Sequence, residues 1–303
     1  MTRTILVTGA TGKQGGSVIT SLLEQDADVE ILALTRDISS SSAKRLADKS
    51  TKIKLVEGTL DHPDAIFENA KKVTQTPVWG VFSVQVAAFT GNTTHEAKQG
   101  KALIDAALKA NVKHFVYTSV DRGGESHSLN NPTDVPHFIN KHNIEHHLIN
   151  TTKGTDMTWT ILRPSAFLDG GLVPGFAGRV WATTIKVALQ GKPLQVTAVS
   201  DIGFFGAQAF LKPEEYAGKA ISIAGDEITF DEMNRVFKSA EGKDIPLTFE
   251  FLSRLAMWFV PDMGLMFKFF HDEGFGVDIP ALKRVHPGLK DFRSWLEDGS
   301  EGR

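Results

Sequence analysis

The chain has 303 residues, 41% hydrophobic and 23% charged, with a formal net charge of -3. That length buries a sizeable core, in one large domain or in a domain plus a smaller lobe, and the weak negative charge offers no basic field to nucleic acid. There is no cysteine, which excludes disulfides, thiol nucleophiles and thiolate metal sites, and no apolar run approaches the roughly 18 residues of a membrane span.

Taken in chain order, Thr4-Ile-Leu-Val-Thr8 reads as a strand, Gly9-Ala-Thr-Gly12-Lys-Gln-Gly15-Gly16 as a glycine-rich turn and Ser17–Glu24 as a helix. The strand begins so close to Met1 that a leader peptide is not expected, which makes a cytoplasmic location the simplest expectation. Further strands are predicted over Glu30–Thr35, Lys52–Glu57, Val78–Val84, His114–Thr118 and Thr158–Leu162. All are short, apolar and largely β-branched, as parallel strands covered on both faces must be. Between them Ala43–Lys49, Pro63–Lys72, Glu96–Ala110 and Pro136–Thr151 carry helical periodicity. This alternation predicts an α/β fold: a Rossmann-like doubly wound parallel sheet. After Arg163-Pro164 the pattern becomes irregular and rich in Phe, Gly and Pro. Residues 1–164 are therefore expected to bind the cofactor. Residues 165–303 are expected to form a smaller C-terminal α/β lobe, some of which could rejoin the sheet, with a small-molecule substrate in the crevice between the two.

The turn has glycines at Gly9, Gly12 and Gly15. The first permits a tight turn, the second lets backbone approach phosphate, and the third lets helix and strand pack closely. Placed between a strand and a helix, residues Gly9, Ala10, Thr11, Gly12, Lys13, Gln14 and Gly15 form a candidate pyrophosphate cradle. Arg36 follows the second strand, where a free ribose 2′-OH would usually meet Asp or Glu. A guanidinium there suits a 2′-phosphate, so NADP(H) is the expected cofactor. The hydroxyls of Ser39 and Ser40, in a short loop over Ser39–Ser42, could add donors. Gly58, Thr59 and Leu60 after the third strand are candidates for the adenine side, and Ser83, Val84 and Gln85 after the fourth for the middle of the cofactor.

The turn, Thr35-Arg36, Val56–Asp61, Tyr117-Thr-Ser-Val-Asp121, Arg163–Phe167, Asp201-Ile-Gly203 and the tail with His286-Pro-Gly-Leu289 and Trp295-Leu296 together resemble the NmrA-like group of atypical short-chain dehydrogenase/reductases. The resemblance spans essentially the whole chain and implies NADP(H) binding. It also implies one of two functions: an NADPH-dependent reductase, or a non-catalytic NADP(H) sensor that binds a protein partner. Short-chain dehydrogenases usually carry Tyr-x-x-x-Lys with an upstream Ser. The matching stretch here is His137-Phe-Ile-Asn-Lys141, so the Lys is present and the Tyr is not, while Ser119 stands at the upstream position. Of the two tyrosines, Tyr117 and Tyr216, neither is followed by Lys at that spacing. Three possibilities remain open: His137 donates the proton, Lys141 does so, or chemistry is absent and Lys141 only holds the nicotinamide ribose. The resemblance also aims Lys98 at the cofactor and gives Phe167 and Asp169 to the nicotinamide-side loop, where relatives often carry Glu-Asn in place of Asp169-Gly170.

The expected activity is hydride transfer from NADPH to a small, largely apolar carbonyl, imine or activated alkene. No nucleic-acid or membrane partner is expected; a homodimer or a protein partner is compatible with the sequence. No metal site is expected either. His137, His142, His146 and His147 share a helix without an accompanying carboxylate pattern and read as a polar face. Trp258, Met263, Met266, Phe267 and Phe270 read as core, and Glu297–Arg303 as a frayed end.

Overall fold

The fold is taken from a computed structural model that describes residues 2–89, 93–171 and 175–301. Its elements run β1 (Arg3–Val7), α1 (Lys13–Glu24), β2 (Val29–Thr35), α2 (Ser41–Ala47), β3 (Ile53–Glu57), α3 (Pro63–Val73), β4 (Val78–Ser83), α4 (His95–Lys109), β5 (His114–Thr118), α5 (Glu125–Ser128), α6 (Pro136–Thr151) and β6 (Thr158–Pro164). They continue through β7 (Ala166–Phe167), α7 (Leu168–Gly171), α8 (Phe176–Leu189), β8 (Leu194–Thr197), α9 (Val199–Leu211), α10 (Pro213–Tyr216), β9 (Lys219–Ile223) and β10 (Asp226–Ile228). Five helices follow: α11 (Phe230–Glu241), α12 (Glu250–Phe259), α13 (Pro261–Asp272), α14 (Ile279–Val285) and α15 (Phe292–Glu301).

The main sheet has seven strands in the order β3-β2-β1-β4-β5-β6-β9, all parallel. β5 is buried at every position, and β1 and β2 nearly so, because helices cover both faces. Strand order reverses between β1 and β4, which opens a crevice at their carboxyl ends. There Thr8 and Val84 lock the two strands together: the Val84 amide donates to Thr8 Oγ1 at 2.8 Å. Every crossover helix starts at this same edge, so the first turns of α1, α4 and α6 converge on it.

The second half adds more to the core than its irregular sequence suggests. β9 completes the sheet beside β6. It was missed because only its last two residues are buried and its outer edge is polar. A small second sheet, β10-β8-β7, lies nearby. α9 returns to pack on α1 at backbone distance: a Cβ on Gly203 would lie 2.2 Å from Ser17 Oγ. Two readings need correcting. Trp258 is 73% exposed rather than core, although Met266, Phe267 and Phe270 are buried. The tail through Glu301 is helical, because Phe292 and Leu296 anchor it in the interior. No helix among the described residues is long and apolar enough to cross a membrane.

Candidate cofactor and active site

The glycine turn is built as its spacing requires. Gly9 has φ +57, and a Cβ there would lie 2.7 Å from Val84 Cγ1. A Cβ on Gly15 would lie 2.5 Å from both the Thr8 and Gly9 carbonyl oxygens, so only glycine lets α1 sit on the end of β1. Gly12 caps α1 without a side chain, and the first turn holds no acidic residue, leaving the positive end of the helix open to an anion. Gly9, Thr11, Gly12 and Lys13 are exposed at the rim, while Ala10 and Gly15 are buried behind it. Gln14 turns inward and accepts from Thr118 Oγ1 at 2.6 Å. Lys13 donates to the Asp169 carbonyl, joining the turn to α7. A cleft of about 460 Å³ opens between this turn, the start of α9 and α2. A cradle that any Cβ would fill, at an uncapped helix start, fits a dinucleotide pyrophosphate.

Arg36, expected on the adenosine side, is exposed and makes no hydrogen bond or ion pair among the described residues. Ser39 and Ser40 are already engaged. The Ser39 hydroxyl donates to Asp37 at 2.6 Å, and Ser40 caps α2 by accepting from the Ala43 amide at 3.3 Å. The expected loop over Ser39–Ser42 is therefore the cap and first turn of α2. Ser42 and Arg45 of that helix line the cleft beside Gly12, a placement the sequence reading missed. Their i, i+3 spacing was the available signal. The Gly58 amide donates to the Thr35 carbonyl at 2.9 Å, Thr59 bonds Asp61, and Leu60 is half-buried.

Ser83, expected near the middle of the cofactor, is buried, and Gln85 Nε2 donates to its hydroxyl at 2.9 Å. Gln85 Oε1 is buried with no donor among the described residues. Lys141 Nζ lies 2.8 Å from Glu96 Oε1 as an ion pair, off the direction of a hydrogen bond, so the buried Glu96 carboxylate has no hydrogen-bond donor among the described residues. His137 sits one turn before Lys141 on the same face of α6. Its Nδ1 and its backbone amide both meet the carboxylate of Asp262, at the start of α13. Ser119 is buried, and its hydroxyl faces the Arg122 guanidinium at 3.4 Å, which ties it to the interior. Phe167 is half-buried against the core. The Asp169 carboxylate accepts from the Val199 amide at 2.8 Å and so caps α9. Lys98 is exposed, without a partner among the described residues.

Behind this edge lies a network the sequence did not disclose. Glu145 receives Arg122 at 2.9 Å and Arg163 at 2.7 Å, all three being buried. Burial pushes the Glu145 carboxyl up, but the two guanidiniums more than offset that and hold it below its usual value. Tyr117 is fully buried and its hydroxyl finds no partner among the described residues. Burial, with the Glu96 and Glu145 charges adding to it, raises its pKa well above normal. His142 and His146 both point a ring nitrogen at the Leu129 carbonyl, at 3.1 and 2.8 Å, and His147 pairs with Asp105. Among the described residues no three His, Asp or Glu side chains converge as a metal site.

Sheet order, glycine cradle and switch-point crevice define a Rossmann-like protein. The chain belongs to the NmrA-like family, whose model matches residues 1–281. It is 29% identical over 259 residues to the NmrA-like family domain-containing oxidoreductase hkm9 of Aspergillus hancockii, covering 80% of this chain and 73% of that one. Among solved structures it is similar to the NADPH-dependent quinone oxidoreductase QOR2 of Escherichia coli complexed with NADPH, with a TM-score of 0.71, 20% identity and 97% and 99% of the two chains covered. NmrA, described as a negative transcriptional regulator, aligns with a TM-score of 0.69 at 16% identity over 100% and 99% of the two chains. At such identities these structures speak to the fold.

Proposed function

We propose that the protein is an NADPH-dependent reductase acting on a small, largely apolar carbonyl, imine or activated alkene. The observation that carries this reading is convergence on one sheet edge. The glycine turn follows β1, Arg36 follows β2, and α6 with His137 and Lys141 follows β5, so all three come after the carboxyl ends of strands of one sheet, and Arg36 has no partner among the described residues. The family's oxidoreductase relatives support it. In this reading Gly9, Gly12 and Gly15 cradle pyrophosphate, Arg36 with Arg45 faces the 2′-phosphate, and Lys141 holds the nicotinamide ribose. When bound, NADPH supplies a hydride. His137 supplies the proton that the missing Tyr would have given, and Phe89 and Phe138 beside it keep the acceptor's surroundings apolar.

Calorimetry with NADP+ and NAD+, followed by NADPH oxidation with a panel of quinones, enones and aldehydes, tests the reading. Selective NADP+ binding with turnover of any panel member is expected; heat with neither nucleotide would overturn it. A second reading is a cofactor-sensing regulator with a protein partner. It is favoured by the exposed apolar face of α12, where Phe249, Phe251, Trp258 and Phe259 are each more than half exposed. Selective NADP(H) binding without turnover, together with an assembly that changes with the cofactor, supports that alternative.

A further inference from the structure

Resting on the reductase reading, we propose that Asp262 is the positioning residue that makes His137 a proton donor. The histidine lies at the start of α6 and the aspartate 125 positions further along the chain, in the second residue of α13. Asp262 Oδ2 accepts the His137 backbone amide at 3.1 Å, while Oδ1 faces ring nitrogen Nδ1. Both side chains are buried, at 7% exposure for His137 and 2% for Asp262. The carboxylate sits in the first turn of a helix of 12 residues, at the positive end of its macrodipole.

An ionised carboxylate only accepts hydrogen bonds. Nδ1 therefore carries a proton, and the neutral ring keeps its free electron pair on Nε2. Nε2 makes no hydrogen bond among the described residues. The ring is held between Phe89, 4.9 Å away centroid to centroid, and Phe138 at 4.6 Å, so it cannot turn to exchange its nitrogens without leaving Asp262. Lys141, one turn on, faces the same way.

The proton balance follows. The hydride brings two electrons to the acceptor carbon, and the π pair of the double bond moves to its oxygen, nitrogen or distal carbon. The Nε2 proton of the imidazolium forms the new O–H, N–H or C–H bond. The ring is left neutral with Nδ1–H on Asp262, and solvent reprotonates Nε2. Asp262 keeps its charge throughout, stabilising the imidazolium before transfer and fixing the tautomer after it. The second half of the chain thus supplies half of the proton donor.

The test is ring-nitrogen NMR on protein labelled with 15N-histidine at pH 7.5, with and without NADP+, the signal assigned through His137→Gln. The expected result is a protonated Nδ1 in the wild-type protein. In Asp262→Asn the amide oxygen takes the backbone N–H and the amide N–H faces Nδ1, so the neutral ring moves its proton to Nε2. With a panel substrate, Asp262→Asn should lower kcat by about 10²–10⁴-fold, leave the NADP+ Kd within about twofold, and be partly rescued by Asp262→Glu. A bare Nδ1 in the wild type overturns the proposal without needing any variant. So does full kcat in a folded Asp262→Asn. Absence of turnover in the wild type removes the reductase reading, and with it the proton transfer, whereas the NMR result alone decides whether Asp262 sets the ring.

Discussion

Arg36 is exposed at the end of β2 with no partner among the described residues, so its guanidinium has no structural duty there to lose. A charge-assisted contact is worth about 1.5–3 kcal/mol. Arg36→Ala should therefore weaken NADP+ binding by about 10–100-fold in calorimetry while leaving NAD+ unchanged. His114 is the opposite case. It is buried at the start of β5, bonded to Thr158 at 2.8 Å, and stacked on Trp79. Burial, with the Arg3 charge adding to it, pushes its pKa from 6.5 down to about 4. The unfolded chain takes up this proton near pH 6.5 and the folded chain only near 4. The stabilisation is therefore complete above 6.5 and is lost as pH falls toward 4, amounting to about 3 kcal/mol. The urea midpoint should fall over that window, and His114→Gln should flatten the fall relative to wild type. At this scale the sequence was legible where function is local. Gly9, Gly12, Gly15 and Arg36 are candidates by virtue of backbone geometry or exposed charge, which needs no distant partner. His137 could be suspected from its spacing to Lys141, but not Asp262, because nothing local links α6 to α13. Glu145 with Arg122 and Arg163 was invisible for the same reason.

Among the elements, α1 and α9 pack more closely than ordinary side chains permit. Gly203 faces Ser17, and a Cβ on Gly206 would lie 2.8 Å from Val18 Cγ2. Gly203→Ala must push the helices apart, at a cost of about 1–3 kcal/mol. Urea denaturation should show the loss, and NADP+ affinity should fall as well, since Ser17 lies in α1 directly behind the glycine turn and lines the same cleft. The first six parallel strands could be read from their apolar runs, to within a residue or two at most ends. β9 could not: half of it is solvated, and its partner β6 lies beyond the whole α7–α10 excursion. The capping box at Thr229 and Glu232, which starts α11, is a local signal the reading passed over. Trp258 shows the converse error. Its helical spacing to buried Met266 and Phe270 suggested one stripe, but the sharp break at Val260-Pro261 between α12 and α13 turns it outward.

For the molecule as a whole, residues on both sides of position 164 build the main sheet. β9 closes the seven-stranded sheet from the far side of that boundary, and α9 covers Val18, Phe82 and Leu162 of the first half. A fragment of residues 1–164 is accordingly expected to lack a cooperative unfolding transition by circular dichroism and to bind no NADP+, whereas the full chain is expected to show both the transition and the binding. The α/β class was readable from the alternation alone, because it is a repeated local pattern. How the halves share the crevice was not, because that depends on contacts between segments far apart in sequence.

The late arrival of β9 bears on how the protein is made. A nascent chain emerging from the ribosome exposes the flank of β6, and the apolar ground beneath α9, until most of its length has been synthesised. A holding chaperone supplied over that interval is then expected to raise the yield of folded protein.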